Sequence, residues 1–525
     1  MKKNLLKIIL GFALTFVSCN FLSAQNGGTI TGTVFPAGMQ TPVKDAVITV
    51  KGGDLSPVHT DINGFFKLNV KSFPVVIEIS KPGYKKESVT VEKESNLTVH
   101  LFGKTVKNDY GKTVALRVSL NTESRDGILM FSTPDNRFKY WFDNRVYFDG
   151  AAYFGDNENI GNGVNIRRMR FAMKTILWGH WGGEIDFDFA YNEVDIKDAF
   201  VRYIGENNWQ IKAGNFKEPF SMEETTTSRY LTFIERPMIT KLAPSRHLGV
   251  SFRKFGHRYF VETGLFSSEI ANDLMQDQNK KQGTSAGWSA TGRVAYTPVK
   301  THDMVLHLGV AGSYRTPKIP ELGDPVNSFR FSSRSETSIN RKKYVDTDDI
   351  TDSKSMVLYG FETAFAYKNF KIAGEYIGSQ IQRDETKTAE GEDKAYVKGF
   401  FLYGGWLITN ADYYYNMAEA EFSQINFRNY KKGVLEFALR YSFTDANSFK
   451  EGSDIPYIQG GACEIYTAAL NYYFNYNVKM MLGYSYVNND RWADGKGKYD
   501  TYKDLPTGKA GIDFGMLQAR IEIDF

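Results

Sequence analysis

Glu184-Ile185-Asp186-Phe187-Asp188-Phe189 decides the fold. Every second residue is an acid, and the residues between them are apolar. Side chains on a β-strand point alternately to opposite faces. This segment therefore carries full charges on one face and nothing polar on the other. Arg168-Met169-Arg170-Phe171-Ala172-Met173-Lys174 does the same with bases. Leu435-Glu436-Phe437-Ala438-Leu439-Arg440-Tyr441-Ser442-Phe443 and the C-terminal Leu517-Gln518-Ala519-Arg520-Ile521-Glu522-Ile523-Asp524-Phe525 repeat the pattern.

A soluble sandwich also alternates, so three further features decide between water and lipid. The segments are long, about ten residues. Short turns such as Lys368-Asn369 and Asn475-Tyr476 alternate with long polar loops such as 316–352 and 488–512. Aromatics crowd segment ends, as in Tyr140-Trp141-Phe142 and Tyr472-Tyr473-Phe474. Outer-membrane β-barrels have these traits. The composition agrees, because 15% aromatic residues accompany 24% charged ones. No segment reads as a membrane helix, and a chain without one crosses lipid only as a closed barrel. Residues 127–525 divide into about sixteen strands, enough to enclose an aqueous channel. Phe525, on the apolar face of the last strand, resembles the signal read by the barrel-assembly machinery.

An even strand count puts both ends of the barrel on one rim. The turn at Asn475-Tyr476 lies on that rim, and so does the stretch from Asn410 to Lys432. That stretch is long for a turn, so it either folds into the lumen or hides a hairpin.

The N-terminus reads as a secretory signal over residues 1–24. Lys2, Lys3 and Lys7 precede a short apolar run, Ile8 to Val17, and Leu22-Ser23-Ala24 offers a cleavage site. The competing reading is a lipoprotein signal acylated at Cys19. Phe16-Val17-Ser18-Cys19 fits it poorly, because leucine is expected three residues before the cysteine. Cys463 is the other of the two cysteines, so a mature chain has no intrachain disulfide. A formal net charge of +4 and the lack of a basic run exclude a nucleic-acid partner. The seven histidines contain no metal-ligand pair, and no Gly-x-Ser-x-Gly elbow or phosphate-binding glycine loop occurs. The residues thus point to no enzyme, no metal and no cofactor.

Residues 28–103 form a separate unit with strand-like runs at 29–34, 46–50, 65–70, 75–79 and 97–101, and 104–126 reads as a polar linker. Gly32-Thr33-Val34, Pro42 to Val50, Thr60-Asp61-Ile62-Asn63-Gly64-Phe65-Phe66 and Lys81-Pro82-Gly83-Tyr84 resemble the carboxypeptidase-regulatory-like domain. The resemblance implies an immunoglobulin-like β-sandwich used for structure or docking. Its place before the first strand implies a periplasmic location. Such domains often precede TonB-dependent receptors, but a plug and about 22 strands need a longer chain.

Within the barrel, Asn165 to Phe171, Asp198-Ala199-Phe200-Val201-Arg202-Tyr203 and Gly214-Asn215-Phe216-Lys217-Glu218-Pro219-Phe220-Ser221-Met222-Glu223 are similar to the phosphate-selective porin O and P family. Ser228 to Arg236 and Leu517 to Phe525 extend the match. The resemblance implies a sixteen-stranded homotrimer in the outer membrane of a Gram-negative bacterium. It also implies a third external loop that folds inward, with bases that draw anions or phosphate. By position that loop is 218–246. It carries Arg229, Arg236, Lys241 and Arg246, with Glu223, Glu224 and Glu235 between them, so its net charge is near zero. Arg168, Arg170 and Lys174 face the lumen from one strand, and Glu184, Asp186 and Asp188 from the next. They serve either as a transverse field across the pore or as cross-strand pairs. The expected function is passive diffusion of small solutes, with anion or phosphate preference as the finer reading. The alternative is a non-conducting barrel for adhesion or scaffolding through its N-terminal domain.

Overall fold

The computed structural model describes residues 27–525 apart from 38–40, 54, 108–109, 111, 116–119, 126–127, 156–159, 268–286, 318–326, 410, 430–431 and 494–510. The signal segment 1–24, its cleavage site and Cys19 lie outside the described residues. The chain forms two compact units, one made chiefly of residues up to Leu120 and the other chiefly of Asn136–Phe525.

Sixteen antiparallel strands close on themselves in the second unit. They are β1 (Phe138–Phe154), β2 (Gly163–Leu177), β3 (Trp181–Asp188), β4 (Asp195–Ile204), β5 (Trp209–Lys217), β6 (Arg246–Phe255), β7 (Tyr259–Phe266) and β8 (Ser289–Lys300). The second half comprises β9 (Met304–Arg315), β10 (Ser353–Tyr367), β11 (Phe370–Arg383), β12 (Lys394–Leu407), β13 (Val434–Phe449), β14 (Pro456–Tyr473), β15 (Val478–Asn489) and β16 (Phe514–Asp524). Each strand pairs with the next, and β1 pairs with β16 from Arg145↔Asp524 to Phe154↔Gly515. Phe525 completes the seam. Its N–H donates to the Asn144 carbonyl at 3.0 Å, and its own carbonyl accepts from Asn144 at 2.7 Å.

The faces are inverted relative to a soluble protein. Phe171 is 44% exposed on the outside, whereas its neighbour Arg170 is 8% exposed inside. On β16, Leu517 and Ile521 face outward, as does the following Phe525, and Gln518, Arg520, Glu522 and Asp524 face the lumen. Tyr203 contacts Trp181 and Trp209 at the rim that holds both barrel ends, with centroids 5.1 and 5.5 Å apart. Such rings suit the water–lipid boundary.

The alternation weakens on the lumen side of β10–β12. Leu358, Ile377, Ile381, Val397 and Phe401 are buried there. They form one apolar cluster with Phe220, Phe233, Ile239 and Phe331 from two inward loops. A wall covered by loop side chains has no water to face, so apolar residues replace charges there.

Gly214, next to the loop base, has φ +135°. A Cβ there would stand 2.3 Å from the Ala199 carbonyl oxygen and 2.6 Å from the Phe200 Cα. Gly214→Val is expected to destabilise the barrel by at least about 1–3 kcal/mol. The temperature at which folded protein loses its compact gel mobility reads this out.

The stretch expected as a linker, 104–126, holds a short strand pair, Thr105–Lys107 with Thr113–Ala115. It also holds Asn121–Arg125, which pairs with Ile128–Ser132. That second strand extends the barrel sheet at the start of β1 through Met130↔Trp141. Short polar strands lack the apolar periodicity that marks a strand in sequence.

The first unit packs two sheets around Ile30, Val34, Ile48, Phe66, Leu68, Ile77, Ile79 and Leu101. One sheet orders Phe65–Val70, Gly28–Pro36 and Ser95–Leu101. The other orders Val58–His59, Val47–Val50, Val75–Ser80 and Glu87–Val91. Asp61 Oδ1 accepts from the backbone N–H of Asn63 and Phe65 at 2.8 Å each, closing the turn that Gly64 enters with φ +69°. Val58–His59 and Glu87–Val91 add two strands to the five read from sequence.

Candidate permeation site

Two connections from opposite rims fill the lumen. The first is 218–245, the third connection on the rim opposite the barrel ends. Glu218 fixes its base: it is fully buried and accepts from Ser289 at 3.2 Å and Arg315 at 2.8 Å. The loop then crosses the barrel. The Met222 and Glu223 N–H groups donate to Glu362 and Glu375 at 2.6 Å each. On the far wall, Lys479 reaches the carbonyls of Arg229 and Leu231 at 3.1 and 3.3 Å. Arg440 donates to the Glu235 carbonyl at 2.9 Å. Arg167 grips the Glu235 carboxylate at 2.6 and 3.0 Å, and Arg520 adds a contact at 3.1 Å. The inward fold of the loop is thus anchored at both ends.

The second connection is the long turn between β12 and β13. It both folds into the lumen and forms a hairpin, pairing Ala411–Asp412 with Asn426–Phe427 and Tyr415–Asn416 with Glu421–Phe422. Its tip is held by Arg293, which donates to the Ala420 carbonyl at 2.7 Å, and by Arg253, which meets Glu419 at 2.6 Å. Burial, reinforced by the adjacent Glu419 charge, pushes the Glu421 carboxyl up to about 7.

Two cavities lie against these elements among the described residues. The central one, about 350 Å³, lies between β1–β7, the loop and the hairpin tip, and its wall carries ten bases against seven acids. The second, about 480 Å³, is lined by the loop and by residues 332–337 of the β9–β10 connection, with six bases against three acids. Glu224 and Arg236 line both cavities. Arg236 is held by the Glu223 carbonyl at 2.7 Å and the Thr226 carbonyl at 2.5 Å, with Glu224 at 3.5 Å. This pair marks the partition.

The other residues expected at the constriction divide. Lys241 lines the second cavity. Arg246 lines the central one but is neutralised by Asp198 at 2.7 Å. Arg229 is turned to the wall, where it pairs with Asp143 and lies 3.9 Å from Asp524. Glu223 is buried and lines neither cavity.

Arg168, Arg170, Lys174, Glu184 and Asp186 line the central cavity, and Asp188 does not. The bases and acids pair sideways along one wall rather than facing each other across the pore. Arg170 contacts Asp188 at 3.1 Å and Asp186 at 3.5 Å, and Lys174 contacts Glu184 at 3.3 Å. Antiparallel register sets Arg170 opposite Asp188 and Lys174 opposite Glu184, so the transverse-field expectation is replaced by cross-strand pairing. Glu184, Asp186 and Asp198 come within 4.8 Å of one another. Each already faces a cation, namely Lys174, Arg170 or Arg246.

Apart from Lys217, whose ammonium is bound by the carbonyls of Glu224, Thr225 and Thr226, three bases lining the central cavity have no carboxylate partner among the described residues. Arg168 is buried, its Nε has no acceptor, and its guanidinium lies 6.0 Å from the Tyr147 ring. The Arg202 Nε likewise has no acceptor. Lys212 rests over the Phe200 and Phe216 rings at 4.9 and 4.8 Å. Arg202 and Lys212 were legible in sequence as inward positions: Asp198, Phe200 and Arg202 alternate on β4, and Gln210 and Lys212 on β5. The hairpin acids Glu419 and Glu421 carried no such signal.

Residues 138–504 match the family described as phosphate-selective porin O and P, and 30–114 match the CarboxypepD_reg-like domain. Porin O of Pseudomonas aeruginosa is 23% identical over 71% of this chain and 88% of its own length. Among solved structures, an anion-selective porin from Comamonas acidovorans is 11% identical and covers 74% of this chain and all of its own, with a TM-score of 0.45. The outer-membrane channel DcaP of Acinetobacter baumannii is 13% identical over 75% of this chain and 99% of its own, with a TM-score of 0.43.

Proposed function

The chain belongs to the phosphate-selective porin O and P family and is an outer-membrane porin channel, and on that premise we propose that its pore prefers small anions, phosphate among them. The observation that carries the reading is the central cavity, where Arg168, Arg202 and Lys212 add positive charge that no carboxylate cancels. Close walls of low dielectric focus such a field on a permeating ion. Arginine also presents the planar fork that matches phosphate oxygens.

The test is planar-bilayer conductance of the purified full chain under a potassium chloride gradient. An anion-directed reversal potential is expected, and millimolar phosphate should reduce the chloride current. A reversal potential of zero or of cationic sign counts against the reading. Anion selectivity without phosphate competition removes only the phosphate preference.

The preference should also depend on pH. Glu421 titrates near 7, above the usual carboxylate range. Acidification from pH 8 to 6 removes its negative charge from the cavity, so anion preference should rise as pH falls. Glu421→Gln should flatten that rise.

The working form follows as a homotrimer. Strands β3–β7 are only 8–10 residues long, against 14–18 for β10–β14. A lowered wall of that kind suits burial against neighbouring copies. Crosslinking in native membranes should give a three-chain band. The rim holding both barrel ends is assigned to the periplasm, with the 28–103 domain on that side, and Phe525 is assigned the assembly signal. The second cavity, containing Lys241, and the partition at Arg236 and Glu224 are assigned to the ion path.

A further inference from the structure

A third cavity, about 320 Å³, adjoins the second and shares Lys241, Ser332 and Lys343 with it. Its chemistry differs from that of the ion path. Leu242, Phe329, Phe331, Met356, Ile381 and Val397 supply an apolar surface. Lys241, Lys343 and Arg330 are its charged lining, and no acid among the described residues lines it. The Arg330 charge is met from outside the lining by Asp346, at 2.7 and 2.8 Å. The Lys241 side chain is exposed and lies at the junction of the two cavities.

The apolar surface is built into the fold. Val397 and Ile381 project from β12 and β11 as part of the lumen-side apolar cluster, and Phe331 comes from the β9–β10 connection. Most of that cluster is covered by loop side chains, and here the half-buried Leu242 and Phe329 present the apolar surface to the cavity, with Phe331, Met356, Ile381 and Val397 packed behind them. A hydrated inorganic anion gains nothing from such a wall. An anion with an apolar body gains from burying it there.

We infer that this cavity is a capture site for organic carboxylates carrying a small aromatic or branched aliphatic body. The body rests on Leu242 and Phe329, backed by Phe331 and Met356. The carboxylate points to Lys241, from which it passes into the second cavity. The inference rests on the anion-preferring reading above, and it names a substrate class for that pore.

The experiment compares phenylacetate with acetate as blockers of chloride current through the purified full chain, each added to either side of the bilayer. Both probes carry one carboxylate, so the difference reports the apolar wall. Phenylacetate is expected to reach half-block at a concentration about tenfold lower than acetate. Leu242→Ala, at a half-buried loop position, should shrink that ratio to about threefold or less. Lys241→Gln should raise the half-blocking concentration of both probes. An anion-selective channel that treats phenylacetate and acetate alike overturns the capture site and leaves the anion-preferring reading intact. So does a Leu242→Ala channel that keeps the wild-type ratio. A channel that is not anion-selective removes the anion-preferring reading itself, and a wild-type ratio near one in that channel removes both.

Discussion

Exchanging Arg168, Arg202 and Lys212 together for glutamine is expected to cut the anion-to-cation permeability ratio about twentyfold. The three charges belong to the central cavity, whose ten bases face seven acids, and no carboxylate pairs with them among the described residues. At about 10 Å and an effective dielectric constant of about 40, each contributes about 0.8 kcal/mol to a permeating ion. Screening over a Debye length of about 10 Å reduces this to about a third. Three charges then favour an anion by nearly 1 kcal/mol, or about fivefold, and disfavour a cation by as much. The substitution orphans no carboxylate, because none of the three has an acidic partner among the described residues, so the barrel should fold normally. Reversal potentials of wild type and variant in the same salt gradient measure the effect. An unchanged ratio would sink the assignment of these residues. Substituting Arg229, Arg236, Lys241 and Arg246 by alanine is also expected to lower anion preference. Loss of Arg246, however, leaves Asp198 without its ion-pair partner, whereas Asp143 keeps Arg145 and Lys174 when Arg229 is lost, so the quadruple change mixes electrostatic with structural effects.

Arg520→Met should cost about 3–5 kcal/mol of stability, the range for a buried pair that loses one partner. Arg520 is 1% exposed on the closing strand β16. It holds Asp149 of β1 through two hydrogen bonds of 2.7 and 2.8 Å and reaches Glu235 of the inward loop at 3.1 Å. The side chain therefore joins the barrel seam and the constriction loop in one contact. Its removal leaves Asp149 with only the Ser338 hydroxyl at 2.8 Å, while Glu235 keeps Arg167. The seam should weaken more than the loop. Thermal unfolding followed by loss of compact gel mobility should shift well downward. Single-channel conductance of the surviving fraction should change less than that of a Glu235→Ala variant, which frees the loop from both arginines. Equal thermal shifts for Arg520→Met and an outward-facing control such as Leu517→Met would contradict the role given to this contact.

The amino-acid sequence by itself determined the barrel. Residues such as Ile185, Phe171 and Ile521 face lipid because an alternating strand has only two faces, and only lipid accepts one that is wholly apolar. The same rule turned Arg168, Arg170, Glu184 and Asp186 inward, and strand parity placed the loop 218–245 and the long turn 410–432 on opposite rims. Local periodicity and counting suffice for all of this.

Tertiary structure alone decided what the charges do once inside. Whether Lys174 and Glu184 span the pore or pair along the wall depends on strand register, which no single strand encodes. Arg229 looked like a constriction residue because of its loop, yet the path of the loop turns it to Asp143 on the wall. The tip of the 408–433 hairpin, with Glu419 and Glu421, enters the lumen because Arg253 and Arg293, more than a hundred residues earlier in the chain, receive it there. The apolar lining of β10–β12 broke the alternation for the same reason: loops distant in sequence cover it. A strand's faces are fixed by geometry within a few residues. Net charge and shape of a pore are sums over side chains that only the closed barrel brings together.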